Sequence, residues 1–161
     1  MVRMTRAAGT AEYRALAQFR FLIRRYLNNA ENAARSVGLE PQQYMGLLAL
    51  RGLPSNQEPT IRCLAERLQI QHHSAVELVD RMEKRGLFRR ERSKRDRRHV
   101  IVHVTAHGEA LLSRLVRHRI NELRVLAPAL TKALRSVLSA ASQSKTRNRR
   151  GSSPKRSEAP E

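Results

Sequence analysis

A chain of 161 residues and 18.4 kDa gives one ordinary domain with a tail and excludes two independent cores. Its 32 Lys and Arg against 14 Asp and Glu leave +18 at neutral pH, far more than solubility needs, and such a balance asks for a polyanionic partner. Hydrophobic residues reach 40% but aromatics only 4%, so the core must be aliphatic, and the single cysteine, Cys63, excludes a disulfide framework and zinc sites of paired cysteines.

In chain order, residues 1–10 are expected to be a flexible N-terminus. They hold no apolar stretch of signal-peptide length, and no run in the chain approaches the roughly 18 apolar residues that span a bilayer, so the protein is expected in the cytoplasm with no membrane partner. Tyr13, Leu16, Phe19, Ile23, Leu27, Ala30, Ala34 and Val37 recur every three or four residues and predict a long helix over about 11–37, stopped by Gly38. Pro41 opens a shorter helix carrying Tyr44, Leu47, Leu48 and Leu50, which ends at Gly52 and Pro54.

Residues 60–87 read as two short helices joined by a tight turn. The first carries Ile61, Leu64, Ala65 and Leu68, and the second, starting near Gln71 or His72, carries Ala75, Val76, Leu78, Val79 and Met82, with Lys84 and Arg85 in its last turn and Gly86 placed to cap it. Strand periodicity follows at Phe88–Arg92 and His99–Val104 around a polar run, which predicts a hairpin over about 88–104. Thr105 caps a further helix with Glu109 in its first turn, Gly108 taking the place where a capping box would need an acid, and Pro128 is expected to restart a last helix ending near 140. Residues 142–161 lose their apolar content and read as a basic disordered tail, with Lys145, Arg147, Arg149, Arg150, Lys155 and Arg156 as candidate phosphate contacts.

Helix, turn, helix and hairpin is the order of a winged helix-turn-helix, so the expected fold is mainly α with a small β hairpin wing, the first and last helices lying outside it. Between Arg81 and His99 ten cations face three acids, a net +7 in nineteen residues. In such folds the second helix enters the major groove with its N-terminal residues at base edges. Gln71, His72, His73, Ser74 and Glu77 occupy that position here, and all can donate to or accept from bases. Arg81, Arg90, Lys94, Arg95, Arg97 and Arg98 are the candidate phosphate and groove contacts, with Asp96 among them at the tip of the hairpin.

Residues 59–110 carry LAERL, VDRMEKRGL, DRR before a valine-rich strand, and T-x-x-G, and in these segments the chain resembles the MarR family of winged-helix transcription regulators. YRALAQFRFLIRRYL and GLEPQQYMGLLALRGLP extend the resemblance to about residues 12–140. It implies a homodimer whose N- and C-terminal helices interlock, a recognition helix in the major groove of a pseudo-palindromic operator, a wing beside the minor groove, and repression of nearby genes. It assigns Asp96 the role of orienting the wing-tip arginine and Arg98 that of reaching the minor groove. Two departures stand out: Gln69 where the family usually has glycine in the turn, and Gln71 where Ser or Thr commonly caps the recognition helix.

The dimer has a second argument, since the first and last helices carry longer apolar faces than a small winged domain covers. Family members commonly bind small aromatic or phenolic acids between the dimerisation helices and the winged domain. The resemblance therefore makes Tyr13, Phe19, Arg20, Ile23 and Arg24 candidate contacts for a small aromatic or lipophilic effector that releases the DNA. No cofactor or metal is expected: His72 with His73, and His99 with His103, lack acids or thiols spaced to complete a site. An enzyme is not expected either, because no glycine-rich phosphate loop and no Ser-His-Asp or Cys-His arrangement is present. The alternative reading is a sequence-independent nucleic-acid-binding protein, which would also account for the charge.

Overall fold

The computed structural model describes residues 8–93 and 100–150, the last eight as helical backbone only. Its elements are α1 (Thr10–Ser36), α2 (Pro41–Arg51), α3 (Ile61–Leu68), α4 (His72–Lys84), β1 (Phe88–Arg92), β2 (Val100–Val104) and α5 (Ala106–Arg150). The mainly α architecture with a two-stranded antiparallel wing agrees with the sequence reading. Among the described residues no helix is long and apolar enough to cross a membrane.

The chain forms two compact units, residues 28–122 and residues 1–27 with 123–161. The first holds one aliphatic core built from Leu39, Leu47, Leu64, Leu78, Val79, Met82, Leu87, Phe88, Val102 and their neighbours. Each helix contributes a stripe at the helical period: Leu64 and Ala65 from α3, and Ala75, Leu78, Val79 and Met82 from α4. Every fully removed Leu or Val side chain in such a core contributes roughly 1.5–3 kcal/mol.

β1 pairs with β2 so that Phe88 faces Val104, Arg90 faces Val102 and Arg92 faces Val100. Thr60 adds an isolated bridge to Ile101, and the Val102 N–H donates to the Pro59 carbonyl at 2.8 Å, tying the entry of α3 to the wing. Thr105 caps α5, accepting from the Gly108 N–H at 3.1 Å while its hydroxyl donates to the Gly86 carbonyl at 2.6 Å. Arg85, past the end of α4, donates to Gln43 of α2 at 2.5 Å and to the Gly38 carbonyl at 2.7 Å, binding three segments together.

The second unit has little core of its own. Among its described side chains only Leu22 and Ala133 appear in the buried apolar set, whereas Tyr13, Leu16, Phe21, Val125, Leu134 and Leu138 are exposed, Val125 to 83%.

One expectation fails here. Pro128 starts no new helix; α5 is continuous from Ala106 to Arg150 with Pro128 inside it and runs past the expected end near 140. A proline ring fixes φ at a helical value, and at the exposed Pro128 the lost N–H removes one bond, the one otherwise aimed at the Arg124 carbonyl.

Candidate nucleic-acid interface

The turn before α4 is set by Gln69, which takes the left-handed region at φ 54° and ψ 42°. That conformation lets the Ile70 N–H reach back to the Ala65 carbonyl at 3.0 Å and closes α3, so the glycine missing from the sequence is replaced by a strained glutamine. Thr60 caps α3 by accepting from the Cys63 N–H at 3.1 Å, but Gln71 at the start of α4 makes no side-chain cap. The first-turn N–H groups of α4 are thus left without the partner that Ser or Thr would supply, which is the state in which a helix N-terminus accepts a phosphate.

On α4 the core stripe Ala75, Leu78, Val79 and Met82 fixes the helix rotation. The remaining face presents Gln71, His72, His73, Glu77, Arg81 and Lys84 to solvent, with Ser74 half-buried. This is the face and the turn expected to read bases. His73, Glu77, Arg81 and Lys84 are spaced four, four and three residues apart and therefore form one polar line along the helix.

Arg90 is placed differently from its neighbours. Strand alternation puts it on the same side of β1 as Phe88, against α4, with its side chain only 25% exposed. Its guanidinium donates to Asp80 at 2.5 Å, to Glu83 at 2.7 Å and to the Val76 carbonyl at 3.4 Å, and its backbone N–H donates to Glu83 at 3.0 Å. The Arg90 backbone N–H is the main reason the Glu83 carboxyl titrates below its ordinary range, with the guanidinium adding to it. Burial works against the Arg90 charge, and the hydrogen bonds to Asp80 and Glu83 outweigh it, so its pKa stands above the usual guanidinium value. Expected as a phosphate contact, Arg90 is occupied in joining the wing to α4. Asp80 and Glu83, absent from the candidate set, are the groups that hold it, and their positions one turn apart on α4 were the available signal.

On the opposite side of β1, Glu91 pairs with His103 at 3.3 Å and with Arg89 at 3.5 Å. Lys94, Arg95, Asp96, Arg97 and Arg98, and His99 with them, lie outside the described residues, as does the end of the tail from residue 151. Cys63 is half-buried on α3, and among the described residues no group of three or more His, Cys, Asp or Glu is arranged to hold a metal.

The effector candidates lie along the first half of α1, where Tyr13, Arg20, Ile23 and Arg24 are exposed and Phe19 is half-buried. A groove of about 680 Å³ within the unit of residues 28–122 is lined by other residues, among them Asn29, Asn32, Ser36, Arg114, His118 and Glu122, over a floor of Ala33, Val37 and Leu115. Glu122 there accepts from Asn29 at 2.6 Å and pairs with the buried Arg119, and Arg114 and His118 line the groove beside them. Nothing in the sequence signals that these two polar helix faces meet.

The comparisons with known proteins agree with this architecture. The model of the MarR family matches residues 37–99. No curated protein matches the chain. Among solved structures the chain is similar to AbsC, a MarR family transcriptional regulator from Streptomyces coelicolor, with a TM-score of 0.68 and 23% identity over 91% of this chain and 99% of that one. It is similar to CouR, a transcriptional repressor solved with a 23-mer DNA duplex, with a TM-score of 0.56 and 29% identity over 73% of this chain and 84% of that one. A MepR mutant from S. aureus bound to an oligodeoxyribonucleotide gives a TM-score of 0.57 and 17% identity over 81% and 94%. Residues 37–99 thus match the MarR family, within a chain that has the fold of solved MarR transcription regulators.

Proposed function

We propose that the chain is a homodimeric, sequence-specific double-stranded-DNA-binding transcription regulator of the cytoplasm, a repressor released by a small aromatic or lipophilic ligand. The observation that carries this is α4: its apolar stripe is buried, its opposite face exposes Gln71, His72, His73, Glu77 and Arg81, and its first turn is uncapped. The DNA duplex bound to CouR and the oligodeoxyribonucleotide bound to MepR support the same use of the fold.

The homodimer rests on the second unit. Two helices with Tyr13, Leu16, Phe21, Leu134 and Leu138 exposed need another apolar surface, and a second copy supplies it with the symmetry that a pseudo-palindromic operator requires. Release by a ligand rests on the family resemblance and on the groove beside Arg114 and His118, whose size suits a small molecule and whose Arg114 suits an acidic one.

Selection of bound duplexes from a random library, then a salt titration on the winner and a scrambled control, tests the reading. An inverted repeat bound far more tightly than the control is expected, with a salt slope for on the order of 6 to 10 phosphate contacts. No enriched motif, and equal salt-sensitive binding to both duplexes, would leave the sequence-independent binder instead.

A further inference from the structure

The net charge that asks for a polyanion sits mostly outside the winged unit. Residues 28–122 hold 17 Lys and Arg against 11 Asp and Glu, a net +6. Residues 1–27 and 123–161 hold 15 against 3, a net +12. From Leu123 to Arg150, α5 carries seven cations and no acid at all. A merely solvated helix gains from mixed signs, through pairs one turn apart and through lower self-repulsion, so a same-sign helix of 28 residues calls for a counter-charge.

These cations form a surface. Arg124, Lys132 and Arg135 line a groove of about 710 Å³ along α5 together with Thr131, Ser136 and Ser139. Arg14 and Gln18 of α1 line a second groove, of about 500 Å³, with Lys132 and Ser136. Lys132 and Ser136 belong to both, so the grooves join into one strip of cations, hydroxyls and an amide. Arg14, Arg124, Lys132 and Arg135 are exposed, and none forms an ion pair with another described residue. Glu12, the acid of this unit among the described residues, accepts from the Gly9 N–H at 2.6 Å. Arg124 and Arg135 lie about 16 Å apart along the helix axis, several times the roughly 3.4 Å axial spacing of phosphates on one DNA strand. A single carboxylate or phosphate neutralises one or two of these groups, whereas a polymer neutralises the line and releases counterions from each contact.

We propose that this surface of α1 and α5 binds the sugar-phosphate backbone of a second double-stranded DNA segment, so that each chain engages one segment through α4 and another through its helical unit. The inference rests on the DNA-binding reading for its choice of polyanion, because a protein already held on a duplex meets further duplex at a local concentration on the order of millimolar. Arg, Lys, Ser, Thr and Gln are also the side chains that hold DNA by its backbone without reading sequence.

The test is the number of 12-base-pair duplexes bound per full-length chain, by sedimentation velocity at about 50 mM salt, where phosphate contacts are strongest. The wild type is expected to take two per chain, and the quadruple variant Arg14→Gln, Arg124→Gln, Lys132→Gln, Arg135→Gln one. A charge-matched variant, Arg35→Gln, Arg62→Gln, Arg67→Gln, Arg117→Gln, is expected to keep both. Saturation of the wild type at one duplex per chain, with that duplex kept by the first quadruple variant, overturns the inference, and so does retention of the second duplex by that variant. Binding of anionic lipid vesicles or single-stranded RNA by this surface in place of duplex overturns it as well. Failure of the regulator reading looks different: His73→Ala, Ser74→Ala, Arg81→Ala together would then leave the first duplex in place, or the wild type would bind none.

Discussion

Arg90 and Glu83 meet at two points, the Arg90 backbone N–H on one carboxylate oxygen at 3.0 Å and its guanidinium on the other at 2.7 Å. A strand residue thereby fixes both its main chain and its side chain to α4, so the wing and α4 hold one relative orientation. In the proposed regulator, reading two adjacent grooves would depend on that orientation. Replacing Arg90 by Met leaves Asp80 and Glu83 facing each other without their shared cation. Hydrogen bonds to charged groups contribute about 1.5–3 kcal/mol, and a loss of stability toward the lower figure is expected at this partly exposed site. DNA affinity should fall on every sequence alike, because geometry and not base contact is lost. Chemical denaturation together with binding to matched and scrambled duplexes checks both, and unchanged stability would remove the joining role.

The same pair gives a pH dependence. Glu83 titrates lower in the folded chain than in the unfolded one, chiefly through the Arg90 N–H. Its contribution is present above the unfolded value of about 4.3 and is lost as pH falls through the lower folded value. Glu83→Gln should therefore be less stable than wild type at pH 7 and show a shallower loss of stability from about pH 5 downward. Parallel acid limbs in the two proteins would contradict this.

The part of the fold that follows from periodicity was legible in the sequence: the stripes of α3 and α4, the paired strands β1 and β2 and the Thr105 cap stand where their patterns place them. Arg90 was legible in principle, since strand alternation from Phe88 already turns it inward, but its charge argued for DNA and its acceptors Asp80 and Glu83 lie on α4, which the alternation of β1 does not describe. Pro128 misled because proline breaks helices through a lost hydrogen bond and a clash, and a long helix tolerates one such site. The groove at Arg114 and His118 depends on how two helices cross, which no local pattern encodes. The excess charge was visible from the start, and only the division into two units shows that +12 of it lies outside the winged part.

Gln69 supplies a test of local strain. A side chain held at φ 54° costs about 1 kcal/mol or more, a cost glycine does not bear, although glycine gives back part of the gain through a more flexible unfolded chain. Gln69→Gly should raise the melting temperature by roughly 1–4 °C without changing DNA specificity. A lower melting temperature would mean that the glutamine side chain contributes more than its backbone costs.

The apolar faces of the helical unit predict the oligomeric state. Leu16→Lys with Leu134→Lys places charge on two residues that are 49% and 44% exposed in the single chain, where it is tolerated. In a dimer burying those faces an unpaired charge costs several kcal/mol. Light scattering should show a dimeric wild type and a monomeric double variant that keeps its helical circular dichroism. A monomeric wild type would refute the dimer outright.

Gly108 sits at the junction of wing and helix. A Cβ there would lie 2.7 Å from the Leu87 carbonyl oxygen, 2.9 Å from Leu47 and 3.1 Å from Val104. The first neighbour is backbone, held in place because Leu87 accepts from the Thr105 N–H at 3.0 Å, so it cannot swing aside as a flexible side chain would. Gly108→Ala must push α5 away from the strand entry, and overpacking of this kind costs about 1–3 kcal/mol. Ala would otherwise stabilise a helix by about 1 kcal/mol relative to Gly, so the sign of the change separates the two effects. A destabilised Gly108→Ala in thermal denaturation is expected, and a stabilised one would show that the close approach of Leu87 to the start of α5 yields at little cost.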